Sequence, residues 1–453
     1  MSSAPCVDAG LSLTHDIEHA LNRKLTASLL TIDVKGFFDN VNHNRLISIL
    51  YHMGFPTPIT NWVSSFLSNR SAASCIGTFT GPFTPIDTGV PQGSPCSPIL
   101  SVIYSTPILE AISLDPLCTN ILLPVIPRSY IDDFSFLAIS HSDITNTTAL
   151  EGSLHQTVAL FEDAGMRIDP SKSELIHFSW GRKPCTAPIT TTLYGKDLRI
   201  NPKDVVRWLG IFFDSKLRFS KHVEIMCNRA TSVANSICVL ANTVRGLHQK
   251  HLCILIKTCV HPILTYASPV WFRPDCPQLT LMKRLDSVQN IGLHLITGAF
   301  HTTPIPALHT LSHMPPMEVT LTKLSRSASI RLLKLPFSSL VAQRLPDVWR
   351  NNTSGDAPFP TLSHLPNNAR TARHLTAIEH LASLTSPKGE RIFPFARSNH
   401  PGTIRLHDHP NLSFDSPKFI QMSPESHQEH CDLINREYLS GLLGLLTVRP
   451  PEG

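Results

Sequence analysis

No Cys-x-x-Cys pair occurs among the eleven cysteines of this 453-residue sequence. An odd number of singly scattered thiols makes neither a disulfide framework nor a zinc ribbon. It fits a reducing intracellular setting, nucleus or cytoplasm. No basic-then-apolar leader opens the chain, which argues against secretion. Nor does any apolar run near an end approach the twenty or so residues that span a bilayer. The longest, Tyr438 to Val448, falls well short, so no membrane partner is expected. Charged residues are few, at 16%, against 42% hydrophobic. That balance excludes a disordered polyelectrolyte, and the length suits two or three domains with a sizeable core. No internal repeat is apparent.

What is present is uneven along the chain. The net charge is only +5, yet residues 1–180 carry eight Lys/Arg against sixteen Asp/Glu, and residues 181–300 carry sixteen against six. An acidic part followed by a basic one suits metal ions held in the first and a polyanion in the second; two solvated faces of opposite sign would give the same balance. The 37 prolines exceed ordinary usage, and eleven lie between 351 and 453. That tail reads as a weakly structured linker with one helix at 426–446. His427, His430 and Cys431 lie close together there, without a fourth ligand at zinc spacing, so they read as structural.

Periodicity predicts helices over 12–30, from Asn42 as cap, over Ile59–Leu67, Ile99–Ile112 and 149–164, and then over 219–245, 248–260 and 279–297. Strands are expected at Leu29–Val34, Ile121–Ile126, Phe134–Ile139, Leu175–Trp180, Thr192–Leu198 and Val205–Phe213. Gly77–Pro85 reads as a hairpin.

Three acids stand out: Asp33 near the end of one apolar strand, and the adjacent pair Asp132 and Asp133 between two others. Like charges so close raise one another's pKa and destabilise the fold. A divalent cation is the usual offset, and Mg²⁺ prefers one or two carboxylates completed by phosphate and water. Alone, an Asp-Asp pair is more often a polar turn.

The flanking residues decide between these. Thr31-Ile32-Asp33-Val34-Lys35-Gly36-Phe37-Phe38-Asp39 resembles motif A of reverse transcriptases. Gly89-Val90-Pro91-Gln92-Gly93-Ser94-Pro95 resembles motif B, and Ser129-Tyr130-Ile131-Asp132-Asp133 resembles motif C. Lys172-Ser173-Glu174-Leu175 looks like motif D, and Arg207-Trp208-Leu209-Gly210 looks like the primer grip. Tyr266-Ala267-Ser268-Pro269-Val270-Trp271 looks like the region after the palm in non-LTR (LINE-like) retrotransposon polymerases. The similarity runs in the family's order over about residues 6–330, and five such pieces in sequence are specific.

The resemblance implies an α+β fold. A palm, with a small antiparallel sheet and helices on one face, would span 29–215. A residual fingers segment (1–28) would precede it; a helical thumb or connection (216–335) and the Pro-rich linker region (336–453) would follow. It also implies roles. Asp33, Asp132 and Asp133 would hold two Mg²⁺ ions, with Mn²⁺ as the alternative, and the Val34 carbonyl could add a ligand. Phe38 would exclude a 2′-hydroxyl, and Gln92 and Gly93 would line the incoming nucleotide. Lys172 would approach the triphosphate and could protonate the leaving pyrophosphate. Trp208, Leu209 and Gly210 would hold the primer end. The implied partners are an RNA template, a DNA primer and deoxynucleoside triphosphates; oligomeric state is not legible.

Two departures are visible. Phe37 stands where many relatives carry a small residue, and only the last part of a fingers region precedes Asp33, so the sequence reads as an N-terminally truncated fragment. The expected function is RNA-directed DNA polymerase. The alternatives are an inactive remnant that only binds nucleic acid and, next, a group II intron maturase-like protein.

Overall fold

A computed structural model describes residues 4–114, 125–241, 246–333, 335, 339–345 and 375–384. The described chain falls into two compact units, Met1–Leu321 and Thr322–Gly453. The predicted helix at 426–446, the strand residues 121–124 and the His427/His430/Cys431 group lie outside the described residues.

The first unit is built on one antiparallel sheet. Helix α1 (Ala4–Asn22) leads into β1 (Thr26–Lys35); then come α2 (His43–His52) and α3 (Thr57–Leu67). Two short ladders follow: β2 (Ser71–Ala72) pairs with β5 (Thr84–Pro85), and β3 (Cys75–Ile76) with β4 (Phe79–Thr80). Helix α4 (Ser97–Leu114), the hairpin β6 (Ile126–Tyr130) and β7 (Asp133–Ser140), α5 (Asp143–Asp163) and β8 (Arg167–Phe178) complete the sheet, in the order β6-β7-β1-β8.

Strand β1 sits inside that sheet and is buried on both faces. Leu30, Ile32 and Val34 join Phe134, Phe136 and Ala138 in a core shared with α2, α4 and α5. Ala27 and Leu29 point the other way and are also buried, against the face where α1 packs with Leu13 and Ile17. The sheet is therefore covered on both faces, not on one as the sequence suggested. A strand alternating Leu-Leu-Thr-Ile with no charge before Asp33 has two apolar faces to hide.

Helix α1 ends at Asn22, well before residue 30. Lys24 takes a left-handed φ of 60°, and Thr26 and Ser28 belong to the strand. Asn146 on α5 ties them down, donating to the Thr26 carbonyl and to Ser28 Oγ, both at 2.9 Å. Asn42 caps α2 as expected, accepting from the Arg45 amide at 3.0 Å.

Two stretches read as single strands are hairpins. β9 (Ile189–Leu193) and β10 (Lys196–Ile200) turn at Tyr194-Gly195, and β11 (Val205–Trp208) and β12 (Ile211–Asp214) turn at Leu209-Gly210. All four turn residues have positive φ, between 50° and 77°, which closes a two-residue hairpin whose twist matches its strands.

Helices follow. α6 (Ser220–Cys238) ends before the predicted 245. α7 (Gln249–Leu255) passes through a π turn (Ile256–Val260) into α8 (His261–Leu264); then come α9 (Ser268–Trp271), α10 (Leu279–Thr297), α11 (Ile305–Ser312) and α12 (Met317–Leu333). Helix α10 has the predicted bounds. In the second unit α13 (Ala377–Ser383) starts with a capping box between Thr376 and Glu379. No helix among the described residues is long and apolar enough to cross a membrane.

Candidate active site

Register brings the acids together. Asp33 and Asp133 are direct partners across β1 and β7, which places their Cα atoms about 4.5–5.5 Å apart. Asp132 lies in the two-residue turn joining β6 to β7, opened by Ile131 at a left-handed φ of 60°. A β-branched residue there is strained, by roughly 1–3 kcal/mol. The turn presents Asp132 beside its neighbour, and all three acids are half-buried.

The electrostatics agree with that crowding. The Asp133 carboxyl is pushed up from the ordinary range, first by burial, then by the charges of Asp132 and Asp33, and is drawn back by Arg207. Arg207, the first residue of the stretch that resembles the primer grip, is exposed on β11.

The other flank of Asp33 is β8. Asp33 pairs with Asp169, while Thr31 pairs with Glu174, so the chain at 170–173 bulges out. Pro170 has no N–H for the ladder. Asp169 Oδ1 closes the bulge by accepting from the Ser171 amide (3.1 Å) and hydroxyl (2.6 Å). These bonds hold its own carboxyl below the usual range, against a smaller rise from desolvation. At the crest of the bulge, Lys172 Nζ reaches across to Asp33 Oδ2 at 2.8 Å. That contact raises the Lys172 pKa. Asp169 was not picked out from sequence; the only signal was a strand pattern interrupted by Asp-Pro.

Motif B is fastened to motif A. The Val90 amide donates to the Phe38 carbonyl, and the Gly89 amide to that of Val41, both at 2.8 Å. Gly89, at φ +80°, leaves no room for a side chain: a Cβ would lie 2.8 Å from the Asp39 carbonyl oxygen. Gln92 Nε2 donates to Asp39 Oδ1 at 2.9 Å. Gly93 has φ +91° with open space where a Cβ would stand, so conformation rather than protein crowding calls for glycine. Phe38 is half-buried, edge-on to Phe37 at 5.7 Å. Phe37 is buried against Phe134; the bulky residue faces the core, away from the acids.

At the second hairpin Trp208 is buried and its indole N–H has no partner among the described residues. The tip beside it, Leu209-Gly210, is partly open. Tyr266 staples it: the phenol donates to the Leu209 carbonyl at 2.7 Å. Burial raises the Tyr266 pKa, and the neighbouring Cys6 adds to it. Cys6, on α1, also bonds Tyr130, whose phenol is pushed up to about 12. Thus β6, α1 and the Tyr266 turn meet behind the acids. His222, buried on α6, receives the Phe212 amide (3.4 Å) and donates to the Tyr266 carbonyl (3.3 Å).

Among the described residues, no group of three or more His, Cys, Asp or Glu side chains stands as a ready metal cage; Asp33 is turned to Lys172. The donor chemistry nevertheless fits a hard cation. The site offers carboxylate oxygens alone, and one of them is held up by its like-charged neighbours, a penalty that a cation would lift.

Residues 4–213 match the family model described as "Reverse transcriptase (RNA-dependent DNA polymerase)". The chain is similar to the probable RNA-directed DNA polymerase from transposon BS of Drosophila melanogaster, 23% identical over 343 residues, covering 74% of this chain and 35% of that one. It is also similar to the RNA-directed DNA polymerase from mobile element jockey of the same organism, 28% identical over 210 residues, covering 45% and 21%. The chain thus spans about a third or less of the length of these curated relatives. Among solved structures, apo telomerase from Candida Tropicalis matches at a TM-score of 0.37 and 12% identity, covering 68% of this chain and 47% of that one, too low a likeness to place residues by. The matched motifs and these relatives point the same way: through residues 4–213 the chain is similar to reverse transcriptases, and its relatives here are polymerases of mobile elements.

Proposed function

We propose that this chain extends a primer 3′-OH with deoxynucleotides on an RNA template, at the site formed by Asp33, Asp132 and Asp133. The observation that carries the reading is the direct pairing of Asp33 with Asp133 beside a strained turn bearing Asp132. These three carboxylates would hold Mg²⁺, or Mn²⁺; such ions stabilise the attacking and leaving oxygens of a phosphoryl transfer. The chain's own residues supply the rest. The Phe38 ring, held by Phe37, would meet the sugar. Gln92, oriented by Asp39, and the open backbone at Gly93 would take the incoming nucleotide. Lys172 now neutralises Asp33; released from it, its ammonium would face the triphosphate and could protonate the leaving pyrophosphate. Because Trp208 is buried, the backbone of Leu209-Gly210, held by Tyr266, would meet the primer end.

The test is primer extension on an RNA template with Mg²⁺, comparing the chain with Asp132→Asn. The expected outcome is a loss of at least a hundredfold, about 2.7 kcal/mol of transition-state stabilisation. Equal extension by both proteins, or none by either alongside normal binding of primer–template, would overturn the reading.

A further inference from the structure

A basic concavity lies at the opposite end of the sheet from the acids. Trp180, Gly181, Arg182, Lys216 and Arg218 line a cavity of about 570 Å³. It follows β8, whose Phe178 pairs with Ala27 at the start of β1, whereas Asp169 pairs with Asp33 at the other end. Six residues of strand separate the two ends, about 20 Å.

Its walls are held in place. Lys216 Nζ donates to the carbonyls of Ser179 (2.5 Å) and Gly181 (2.8 Å), which fixes the loop that presents Trp180. The Asp214 carboxylate accepts from the amides of Lys216, Arg218 and Phe219, at 3.1, 3.0 and 2.5 Å, which fixes the opposing turn. Asp214 is thereby committed to backbone. No ion pair among the described residues engages the Arg182, Lys183 or Arg218 side chains, which are exposed. Trp180 is 46% exposed in their midst.

Unpaired arginines beside an accessible indole are what a single strand needs: cations for its phosphates and a flat apolar face for an unstacked base. A lipid surface would meet a concave wall with one aromatic and no apolar patch to insert. We propose that this concavity binds a single-stranded stretch of RNA, with a base on Trp180 and phosphates on Arg182 and Arg218, apart from the catalytic acids. The choice of RNA rests on the polymerase reading above.

The test measures anisotropy of a labelled 12-nucleotide RNA bound to the full chain over a range of salt. Arg182→Ala/Arg218→Ala should weaken binding at least tenfold and flatten the log affinity against log salt slope by about 1.4, two phosphates at about 0.7 each. Trp180→Ala should weaken it severalfold at unchanged slope. Both variants should still extend a short primer–template, which separates failure here from failure of the polymerase reading. An unchanged affinity and slope in the double variant would overturn the proposal. So would an equal loss of blunt-duplex binding in the double variant, tighter binding of the same sequence as DNA, or displacement of the RNA by anionic phospholipid vesicles.

Discussion

On the proposed reading, Asp133 would serve chemistry at the expense of stability. Burial and two like-charged neighbours raise its carboxyl pKa, so ionising it costs the folded state stability. A raised carboxyl pKa means that the folded chain binds the proton more tightly than the unfolded one. The destabilisation is therefore present at neutral pH and fades as the pH falls through the raised value. Asp133→Asn should accordingly make the fold more stable, by about 0.5–2 kcal/mol, while abolishing synthesis. Urea unfolding at pH 7, alongside primer extension, checks both halves; a variant less stable than the parent would show that the crowding is already relieved in the native chain. Tyr266 makes the converse case. Tyr266→Phe removes the bond to the Leu209 carbonyl, at about 1 kcal/mol. The loosened hairpin tip should show as weaker primer binding, a raised KM for primer with little change in kcat.

At the scale of elements, helix α1 is held by charge as well as by packing. Glu18 pairs with Arg273 at 2.7 Å, each side chain about 15% exposed, and Asp16 pairs with Arg128 on β6. Gly10 lets the helix lie close to the second hairpin, since a Cβ there would stand 2.6 Å from Ile211 Cδ1. Arg273→Ala leaves Glu18 half-buried without that partner and should destabilise the first unit by about 3 kcal/mol. Arg273→Ala combined with Glu18→Ala should recover part of the loss in a double-mutant cycle. The elements themselves were largely legible in the sequence. Apolar runs marked β1 and β7, and helical spacing marked α10 to the residue. The two hairpins were not, because their turns place Tyr194 and Leu209 where asparagine or aspartate would have signalled a reversal. The carboxylates were legible because ordered motifs surround them. Lys172 on Asp33, Asp169 beside it, Arg207 near Asp133 and Tyr266 on the hairpin tip were not. Each depends on a bulge or a strand register that adds nothing to the local pattern of residues.

Across the first unit as a whole, buried imidazoles set the response to acid. His222 is fully buried between β12, α6 and the Tyr266 turn, and burial lowers its pKa to about 4. His261, at the head of α8, is lowered to about 4 by burial and by Lys257. Both are neutral in the fold and take a proton near pH 6.5 once unfolded. Between these values the unfolded chain binds more protons. Stability is therefore full above about pH 6.5, declines as the pH falls toward 4, and levels below it. At His222 the full span is worth about 3 kcal/mol; at His261, which is partly exposed, solvent screening discounts it. The contribution acts where α6 joins the sheet to the helices that follow it, so acid should loosen that junction; buried His177 on β8, bonded to Ser28 on β1 and with its pKa also lowered by burial, adds a smaller acid sensitivity within the sheet. Urea midpoints at pH 8 and pH 5 should differ strongly for the parent chain and much less for His222→Gln, whose amide can keep one hydrogen bond without titrating. Hydrogen exchange at pH 5 should show α6 and the Tyr266 turn opening more in the parent chain than in His222→Gln; equal opening in both would place the acid-sensitive step elsewhere.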